Sequence, residues 1–322
     1  MPIRSERDGG PTARSIGPGV PRGEFPLRVH SVFRGALNLR LEGRDLLITL
    51  LGAGGPDGPQ AIRLGTAPDF RTWGVVPGAR GYLGRDALIL ETGPGGSVGV
   101  DLSRAQRLAP LPLPPIRSLG PAFEACVRAL EAEQLGRACD LRIAPLLAGD
   151  RGDGRAADPG GRLVEAAWDL GAAAARLDAE QARLAACRLV GLGAGSTPAG
   201  DDFLCGFLAA LRCAAHGRSA PLSFLDGLCQ VVAALLPTTT DLGANALRCA
   251  LRALVPAPLG ELAAALAAGR IPEALEGLRR ACAQGHSSGA DLCTGFLHGL
   301  SLWAGADAGW TSSVRLPSEE AA

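Results

Sequence analysis

The sequence predicts an α+β protein, in which a small antiparallel β-sheet or barrel is followed by an all-α helical domain. Residues 26–105 contain short apolar runs separated by turn residues, as in antiparallel sheets. From Pro121 onward, long segments rich in alanine, leucine, glutamate and arginine place apolar residues at helical spacing. A glycine-rich segment that leads into a helix occurs twice in this second part. These three observations together indicate two successive structural classes in one chain.

The composition along the chain predicts five segments. Residues 1–25 are rich in Gly, Pro, Arg and Ser, and we expect them to be disordered. Residues 26–105 form the β-rich domain, and the proline-rich stretch 106–119 is a linker. Residues 120–304 form the helical domain with the ligand loops, and residues 305–322 form a flexible C-terminal tail.

Two similar turns organise the β-rich part. Gly43-Arg44-Asp45 and Gly84-Arg85-Asp86 each lie between apolar runs, which predicts hairpins with glycine at a positive φ angle. The flanking and following strands are expected in the segments Arg28–Leu41, Leu46–Leu51, Ala61–Leu64 and Ser97–Leu102.

The overall composition excludes several function classes. Of the 322 residues, 47% are hydrophobic and the net charge is zero, which is typical of a globular protein and unlike a basic nucleic-acid binder. Every basic residue is arginine, so chemistry that needs a P-loop, Schiff-base or kinase lysine is excluded.

Cysteine usage and hydropathy indicate the compartment. Nine scattered cysteines without a CxxC motif indicate reduced core residues in a cytoplasmic protein. The first residues lack the apolar core of a signal peptide, and no uncharged apolar run reaches the roughly 18 residues of a membrane span, so no membrane association is expected.

The stretch from Gly191 to Leu208, GLGAGSTPAGDDFLCGFL, is the most informative part of the chain. Its glycines allow sharp turns, and a helix starting near Asp201 would direct its positive dipole end at the loop. A loop in this position is suited to bind an anion. A dinucleotide-binding fingerprint is disfavoured, because the preceding segment reads as a helix rather than a strand.

A second copy of this pattern lies about 90 residues further on, at Gly289–Leu297, GADLCTGFL. The ungapped comparison pairs Asp202 with Asp291 and Gly206 with Gly295. Two loop-to-helix units of one design predict two helix starts that face one common pocket.

The acidic residues at the first helix start allow two interpretations. Asp201 and Asp202 would act as a helix cap and a dipole partner if their role is structural. Alternatively, two adjacent carboxylates would hold a magnesium ion that bridges a phosphate, or accept N–H groups from an amide or carbamoyl group. In the same loop, Thr197 supplies a hydroxyl group and Gly200 allows a close approach.

Two further segments complete the candidate site. His286-Ser287-Ser288 precedes the second helix, and His286 is a candidate acid or base. Thr238-Thr239-Thr240 has more hydroxyl groups than one helix cap requires. The candidate catalytic residues are therefore His286 and Asp202, and the candidate ligand-binding residues are Gly193, Gly195, Thr197, Gly200, Asp201, Thr238, Thr239, Ser287, Ser288 and Asp291.

These motifs resemble those of a bacterial domain-of-unknown-function family, and the resemblance extends over residues 26–304. The family includes the AllH-type subunit of oxamate carbamoyltransferase, an enzyme of anaerobic allantoin breakdown. The N-terminal hairpin turn at Gly43 and the segment Val75–Gly78 fit the same family. Family members tend to have leucine where Ser196 stands and serine where Ala199 stands. The resemblance implies a multi-subunit enzyme that uses oxamate or oxalurate with carbamoyl phosphate and phosphate.

We therefore expect a subunit of a carbamoyltransferase-like enzyme, with a small anionic metabolite and other protein subunits as partners. The alternative is a non-catalytic subunit that binds a metabolite or assembles the complex, and a third possibility is that the glycines only allow helices to pack closely. Neither motif contains arginine, so the charge of an anionic ligand would be neutralised by helix ends, by a metal such as magnesium, or by Arg248 or Arg252.

Overall fold

The structure is a computed structural model that describes residues 10–136, 141–149 and 159–304. It divides into two compact units, Met1–Pro110 and Leu111–Ala322. The expected C-terminal tail 305–322 lies outside the described residues.

The N-terminal unit is built on one sheet. Its nine described strands are β1 Ala13–Ile16, β2 Phe25–Val32, β3 Ala36–Leu41, β4 Leu47–Leu51, β5 Ala61–Leu64, β6 Arg80–Leu83, β7 Ala87–Glu91, β8 Ser97–Asp101 and β9 Gln106–Arg107. The order across the sheet is β8-β7-β6-β2-β3-β4-β5-β1-β9. Thr12 also pairs with Asp101 of β8, so the sheet curls until its two sides meet. The enclosed core consists mainly of aliphatic side chains, among them Leu37, Leu39 and Ile62, together with the aromatic ring of Phe70.

This sheet confirms the predicted β-rich fold and corrects three details. Ala13–Ile16 is a strand between β5 and β9, so the segment before residue 26 is not disordered throughout. Two pairs, β4 with β5 and β1 with β9, are parallel. Gly43 has the predicted positive φ angle of 72°, but Gly84 does not adopt a positive φ. The second hairpin closes instead through a hydrogen bond of 2.8 Å from the Gly84 N–H to the Ala87 carbonyl.

The second unit is helical, as predicted. The described α-helices are α1 Pro121–Leu135, α2 Ile143–Ala148, α3 Pro159–Arg176, α4 Ala179–Leu189, α5 Ala199–Ala215, α6 Ser219–Leu235, α7 Asp241–Leu251, α8 Ala257–Ala267, α9 Ile271–Cys282 and α10 Ser288–Trp303. The short α2 was not predicted, because six residues are too few to show a helical period. Helices α3 and α4 are separate elements, because Leu177, with a φ angle of 56°, ends α3.

The helices form two repeats of five, α1–α5 and α6–α10. Corresponding helices begin at Pro121 and Ser219 for α1 and α6, and at Ile143 and Asp241 for α2 and α7. The later pairs begin at 179 and 271 for α4 and α9, and at 199 and 288 for α5 and α10. The separation between the first residues of corresponding helices therefore falls from 98 residues to 92 and then to 89 along the chain. The duplication seen in the sequence is the last fifth of a larger one.

Burial and capping support this correspondence. The buried residues of α6 (Pro221, Phe224, Leu225, Leu228 and Val232) are each 98 residues after a buried residue of α1. The turns after α3 and α8 have the same hydrogen bonds, from Asp178 N to Ala173 O and from Arg270 N to Ala265 O, both 2.9 Å long. These bonds belong to the helix-ending motif that needs a left-handed residue, here Leu177 and Gly269.

Helices α5 and α10 lie at the centre of the helical unit, and almost all of their residues are buried. One helical segment among the described residues, Ser219–Thr238, is long and apolar enough to cross a membrane by length and composition alone. The buried helices of water-soluble proteins can meet the same criterion, but 28% of this segment is buried, on the side of α6 that carries Phe224 and Leu228.

Candidate functional site

The candidate site lies where α5 and α10 begin, and a close helix crossing determines its geometry. A Cβ atom added to Gly206 would lie 1.9 Å from the carbonyl oxygen of Leu292, so the two backbones are in contact. A Cβ atom on Gly295 would lie 2.0 Å from the carbonyl oxygen of Phe203. These reciprocal contacts are those of two helices related by an approximate two-fold axis. Further along, Gly299 faces Phe207, so the helices run in the same direction and their N-termini lie together.

The loop before α5 is shaped by three glycines with positive φ angles, Gly191 (76°), Gly193 (124°) and Gly195 (94°). Its chain folds back so that the Gly200 N–H donates to the Leu192 carbonyl at 2.9 Å. Gly200 itself packs against α4, since an added Cβ would lie 2.1 Å from the Leu189 carbonyl oxygen. Its small size therefore serves helix packing, and the close ligand approach expected from the sequence stays a prediction.

The two loop-to-helix units contact each other directly. The hydroxyl oxygens of Thr197 and Ser288 are 2.8 Å apart, within hydrogen-bond distance. This contact confirms that the two loops lie together, and the common pocket between them stays a prediction. The adjacency also brings two positive helix ends to one place, an arrangement that favours a negative group or strong hydrogen-bond acceptor between them.

Asp202 and Asp291 are the carboxyl groups at this junction. Asp202 precedes Gly206 by four residues and Asp291 precedes Gly295 by four, so each lies about one helical turn before the crossing, on the face that meets the other helix. Asp202 is only 9% exposed and Asp291 is fully buried. In the described part of the chain, Oδ2 of Asp202 has no hydrogen-bond partner.

The environment of Asp202 disfavours its charged form. Burial raises the pKa of Asp202 well above its usual range, and the nearby charges of Asp291 and Asp201 add to this effect. Hydrogen bonds from the hydroxyls of Ser288 and Thr197 act in the opposite direction, lowering the pKa. Asp202 is thus a buried carboxyl group, held between hydroxyl groups of both repeats and inclined to retain its proton.

Asp201 has a different role. Its Oδ1 accepts a hydrogen bond of 2.9 Å from the Gly191 N–H, and its Oδ2 accepts one from the Thr239 hydroxyl. Asp201 therefore joins the start of the loop to the turn before α7. In the second repeat the equivalent positions are Ala290 and Leu141, both fully buried and apolar. An apolar pair replaces the acid–hydroxyl pair there, so the two repeats hold this turn by different contacts.

The two-carboxylate magnesium site suggested by the sequence stays a prediction. Both oxygens of Asp201 are engaged in the contacts just described, whereas Oδ2 of Asp202 has no hydrogen-bond partner among the described residues. Among the described residues, no group of three or more His, Cys, Asp or Glu side chains is placed to hold a metal ion.

The other predicted residues lie around this centre. His286 is exposed in the turn before α10, and Ser287 is the N-terminal boundary residue of α10 without a side-chain cap hydrogen bond. Thr238 is exposed and donates to the Leu235 carbonyl at 2.7 Å, so its hydroxyl is turned away from the loop. Thr240 caps α7 at Gly243 N, and its hydroxyl also donates to the Ser196 carbonyl at 2.7 Å.

The arginines proposed to neutralise a ligand are not at this end of the helix. Arg248 is in the last turn of α7 and Arg252 is its C-terminal boundary residue, whereas the candidate site is near the first turn. The residue equivalent to Thr240 in the first repeat is Arg142, which is exposed at the start of α2.

Sequence reasoning missed Gln134, a buried residue of α1 that organises the second half of the site. Its amide nitrogen donates to the Thr294 hydroxyl at 2.8 Å, and its carbonyl oxygen accepts from the Ile143 N–H at 2.9 Å. These bonds hold the start of α2 beside α10, as Thr239 holds α7 beside α5. The only signal in the sequence was a polar residue on the apolar face of α1.

Two family models match the chain. The model described as oxamate carbamoyltransferase subunit AllH matches residues 189–300, and the AllH family N-terminal domain matches residues 12–107. Together they cover most of the chain, including all strands of the curled sheet and the segment from the first glycine-rich loop to α10. Searches of curated proteins and of solved structures return no match. The chain, with its curled sheet and its paired loop-to-helix units, belongs to the AllH family.

Proposed function

We propose that the chain is a subunit of a carbamoyltransferase that binds a small carboxylate or amide, such as oxamate, with carbamoyl phosphate as the second reactant. The observation that carries the proposal is the buried Asp202, whose Oδ2 has no partner among the described residues although it lies where two helix N-termini meet. A buried carboxyl oxygen left without a partner is costly in a protein whose only need is stability. The family supports the subunit role, since its name is that of an oxamate carbamoyltransferase subunit.

The chemistry of the junction suits a ligand with two kinds of polar group. The dipoles of α5 and α10 favour a carboxylate or phosphate oxygen at their N-termini. Asp202 would contact the nitrogen or carbonyl oxygen of the amide or carbamoyl part, and Thr197 and Ser288 would direct hydroxyl groups at the same atoms. In this proposal His286, exposed at the edge of the junction, moves a proton between the ligand and the solvent.

Ligand binding tests the proposal directly. We expect oxamate, carbamoyl phosphate or inorganic phosphate to raise the melting temperature of the purified chain, in the presence of EDTA as well as magnesium. The variants Asp202→Asn and Thr197→Ala should lose this shift, whereas Ser223→Ala, at an exposed position of α6 away from the junction, should retain it. An unchanged shift in Asp202→Asn would place the ligand elsewhere.

The alternative is a subunit that binds the metabolite or assembles the complex without taking part in chemistry. The position of Arg248 and Arg252 at the far end of α7 favours keeping this alternative, because carbamoyl phosphate carries considerable charge. The discriminating experiment uses the complex reconstituted with its partner subunits. A catalytic role predicts that His286→Ala lowers kcat while assembly remains intact, and an assembly role predicts unchanged turnover once the complex forms.

A further inference from the structure

The approximate two-fold axis between α5 and α10 makes Asp202 and Asp291 equivalent groups that face one another. Each lies one turn before the glycine at which the helices cross, and the backbones touch there. Both side chains are more than nine-tenths buried. Asp202 has an oxygen without a hydrogen-bond partner in the described part of the chain. This buried oxygen without a partner, and not the acidity of the two carboxyl groups, is the observation that points to a ligand between α5 and α10.

We propose that Asp202 and Asp291 act as one carboxyl pair that holds a single proton, and that this pair receives the amide or carbamoyl edge of the ligand. The proposal deepens the proposed function and rests on it for the identity of the ligand. The protonated member donates its O–H to the carbonyl oxygen of the ligand, and the ionised member accepts an N–H from the adjacent nitrogen. The ligand class is a small planar compound with both groups on one edge, and binding requires no net uptake or release of protons.

The groups around the pair favour a shared proton over two charges. Two like charges in one buried site cannot both ionise readily, and the charge of Asp291 acts on Asp202 in this direction. The ionisable groups that act on this region from the packed helices are Asp201 and Cys205 on α5, Cys249 on α7, Cys282 on α9, Cys126 on α1 and Cys293 on α10. Burial raises the pKa of the Cys205 thiol, and a hydrogen bond with Cys282 together with burial raises the pKa of the Cys293 thiol. Both thiols therefore remain neutral and do not add a charge beside the carboxyl groups.

The pair differs from its neighbour Asp201 in a way that the two repeats reveal. The Asp201–Thr239 contact is replaced by the apolar Ala290–Leu141 pair in the second repeat, so that position is not needed in both halves. The carboxyl group of the 202/291 position is present in both repeats, although burying it twice is unfavourable. A ligand that spans the axis requires the two carboxyl groups together.

Infrared spectroscopy of the ligand-free protein, labelled with ¹³C at the aspartate carboxyl groups, tests the shared proton separately from ligand binding. At pH 8 we expect one protonated aspartate band per chain in the native protein. Both Asp202→Asn and Asp291→Asn should lose this band, because the remaining partner ionises when its neighbour becomes a neutral amide. Asp201→Asn, one residue away, should keep the band.

The outcomes separate the possibilities clearly. Persistence of the band in Asp291→Asn would show that burial alone protonates Asp202, and absence of the band in the native protein would show that neither carboxyl group holds a proton. Either result overturns the shared pair while leaving the ligand-binding test of the proposed function intact. Asparagine matches the shape of a protonated aspartate, and Asp291→Ala provides the same measurement if the first variant does not fold.

Discussion

Gly206 and Gly295 occupy equivalent positions on α5 and α10, and each lies against the backbone of the other helix. An added Cβ would approach a carbonyl oxygen to 1.9 Å at Gly206 and to 2.0 Å at Gly295, and backbone atoms cannot yield as a flexible side chain can. This crossing brings the starts of both helices together. The candidate site therefore depends on two residues that do not contact it.

The crossing predicts that Gly206→Ala and Gly295→Ala are strongly and similarly destabilising. Overpacking a core typically costs about 1–3 kcal/mol, and contact with backbone places both variants at or above the upper end of that range. Urea denaturation would measure the loss. Gly227→Ala in α6 is the matched control, because no atom of the described residues lies within 4 Å of its added Cβ. That variant should gain up to about 1 kcal/mol from helix propensity, and a similar loss in all three would contradict the packing argument.

The five-helix duplication could not have been read from the sequence beyond its last helix. The motif pairs Gly206 with Gly295, where backbone contact tolerates only glycine, so identity is retained there. Elsewhere only burial is retained. Phe123 of α1 corresponds to Pro221 of α6, and Ala185 of α4 to Gly277 of α9, so shared burial leaves little shared identity. Loops of different length also change the interval between repeats, which hides the correspondence until helix boundaries are known.

The Asp201–Thr239 contact leads to the prediction that the apolar residues found at the equivalent positions of the second repeat can partly replace it. Asp201→Ala alone leaves the Gly191 N–H and the Thr239 hydroxyl without their acceptor, at a cost of about 1–3 kcal/mol. The double variant Asp201→Ala/Thr239→Leu installs the apolar pair of the second repeat and should recover part of that loss. The measurement is a double-mutant cycle in urea.

Ligand binding is the second readout for these variants. Because Asp201 is structural in this account, the double variant should still respond to the ligand that stabilises the native chain. A double variant that is as stable as the native chain but has lost the ligand response would assign Asp201 to the binding site.

Asp202 makes a pH-dependent prediction. Burial places its pKa in the folded chain above the value of the unfolded chain, so the folded state binds more protons in the interval between the two values. Asp202 therefore lowers the free energy of unfolding, by an amount that grows as the pH rises from about 4. Asp202→Asn should be more stable than the native chain at pH 7, by on the order of 1 kcal/mol or more, and the gain should vanish near pH 4.

Chemical denaturation of both proteins at several pH values measures this difference. A variant that is less stable at pH 7 would show that the charged carboxylate has a favourable partner. A gain in stability accompanied by loss of ligand response is the pattern expected of a residue retained for binding rather than for folding.

The sequence pointed to the residues of the candidate site, but it could not show which contacts each of them makes. The motif identified both aspartates, but adjacency in sequence could not show that Asp201 is tied to Gly191 and Thr239 while Asp202 faces the other helix. Consecutive helical residues point about 100° apart, so neighbours enter different environments. Gln134 was missed because its partners, Thr294 and Ile143, lie on other helices and become neighbours only through folding.

His298 predicts an acid-sensitive step in stability. The ring is buried near Phe203 and Phe207, and Gly171 leaves it room, since a Cβ there would lie 2.3 Å from Nε2. Burial lowers the pKa of His298 to about 4, against about 6.5 in the unfolded chain. Between these values the unfolded state binds the extra proton, so stability falls as the pH decreases through this window, by about 3 kcal/mol at most.

His298→Leu should remove this part of the pH dependence in urea denaturation between pH 7 and 4, whereas His216→Leu, at an exposed position, should retain it. If the free energy of unfolding of His298→Leu falls between pH 7 and pH 4 as much as that of the native chain, a group other than His298 governs the acid sensitivity.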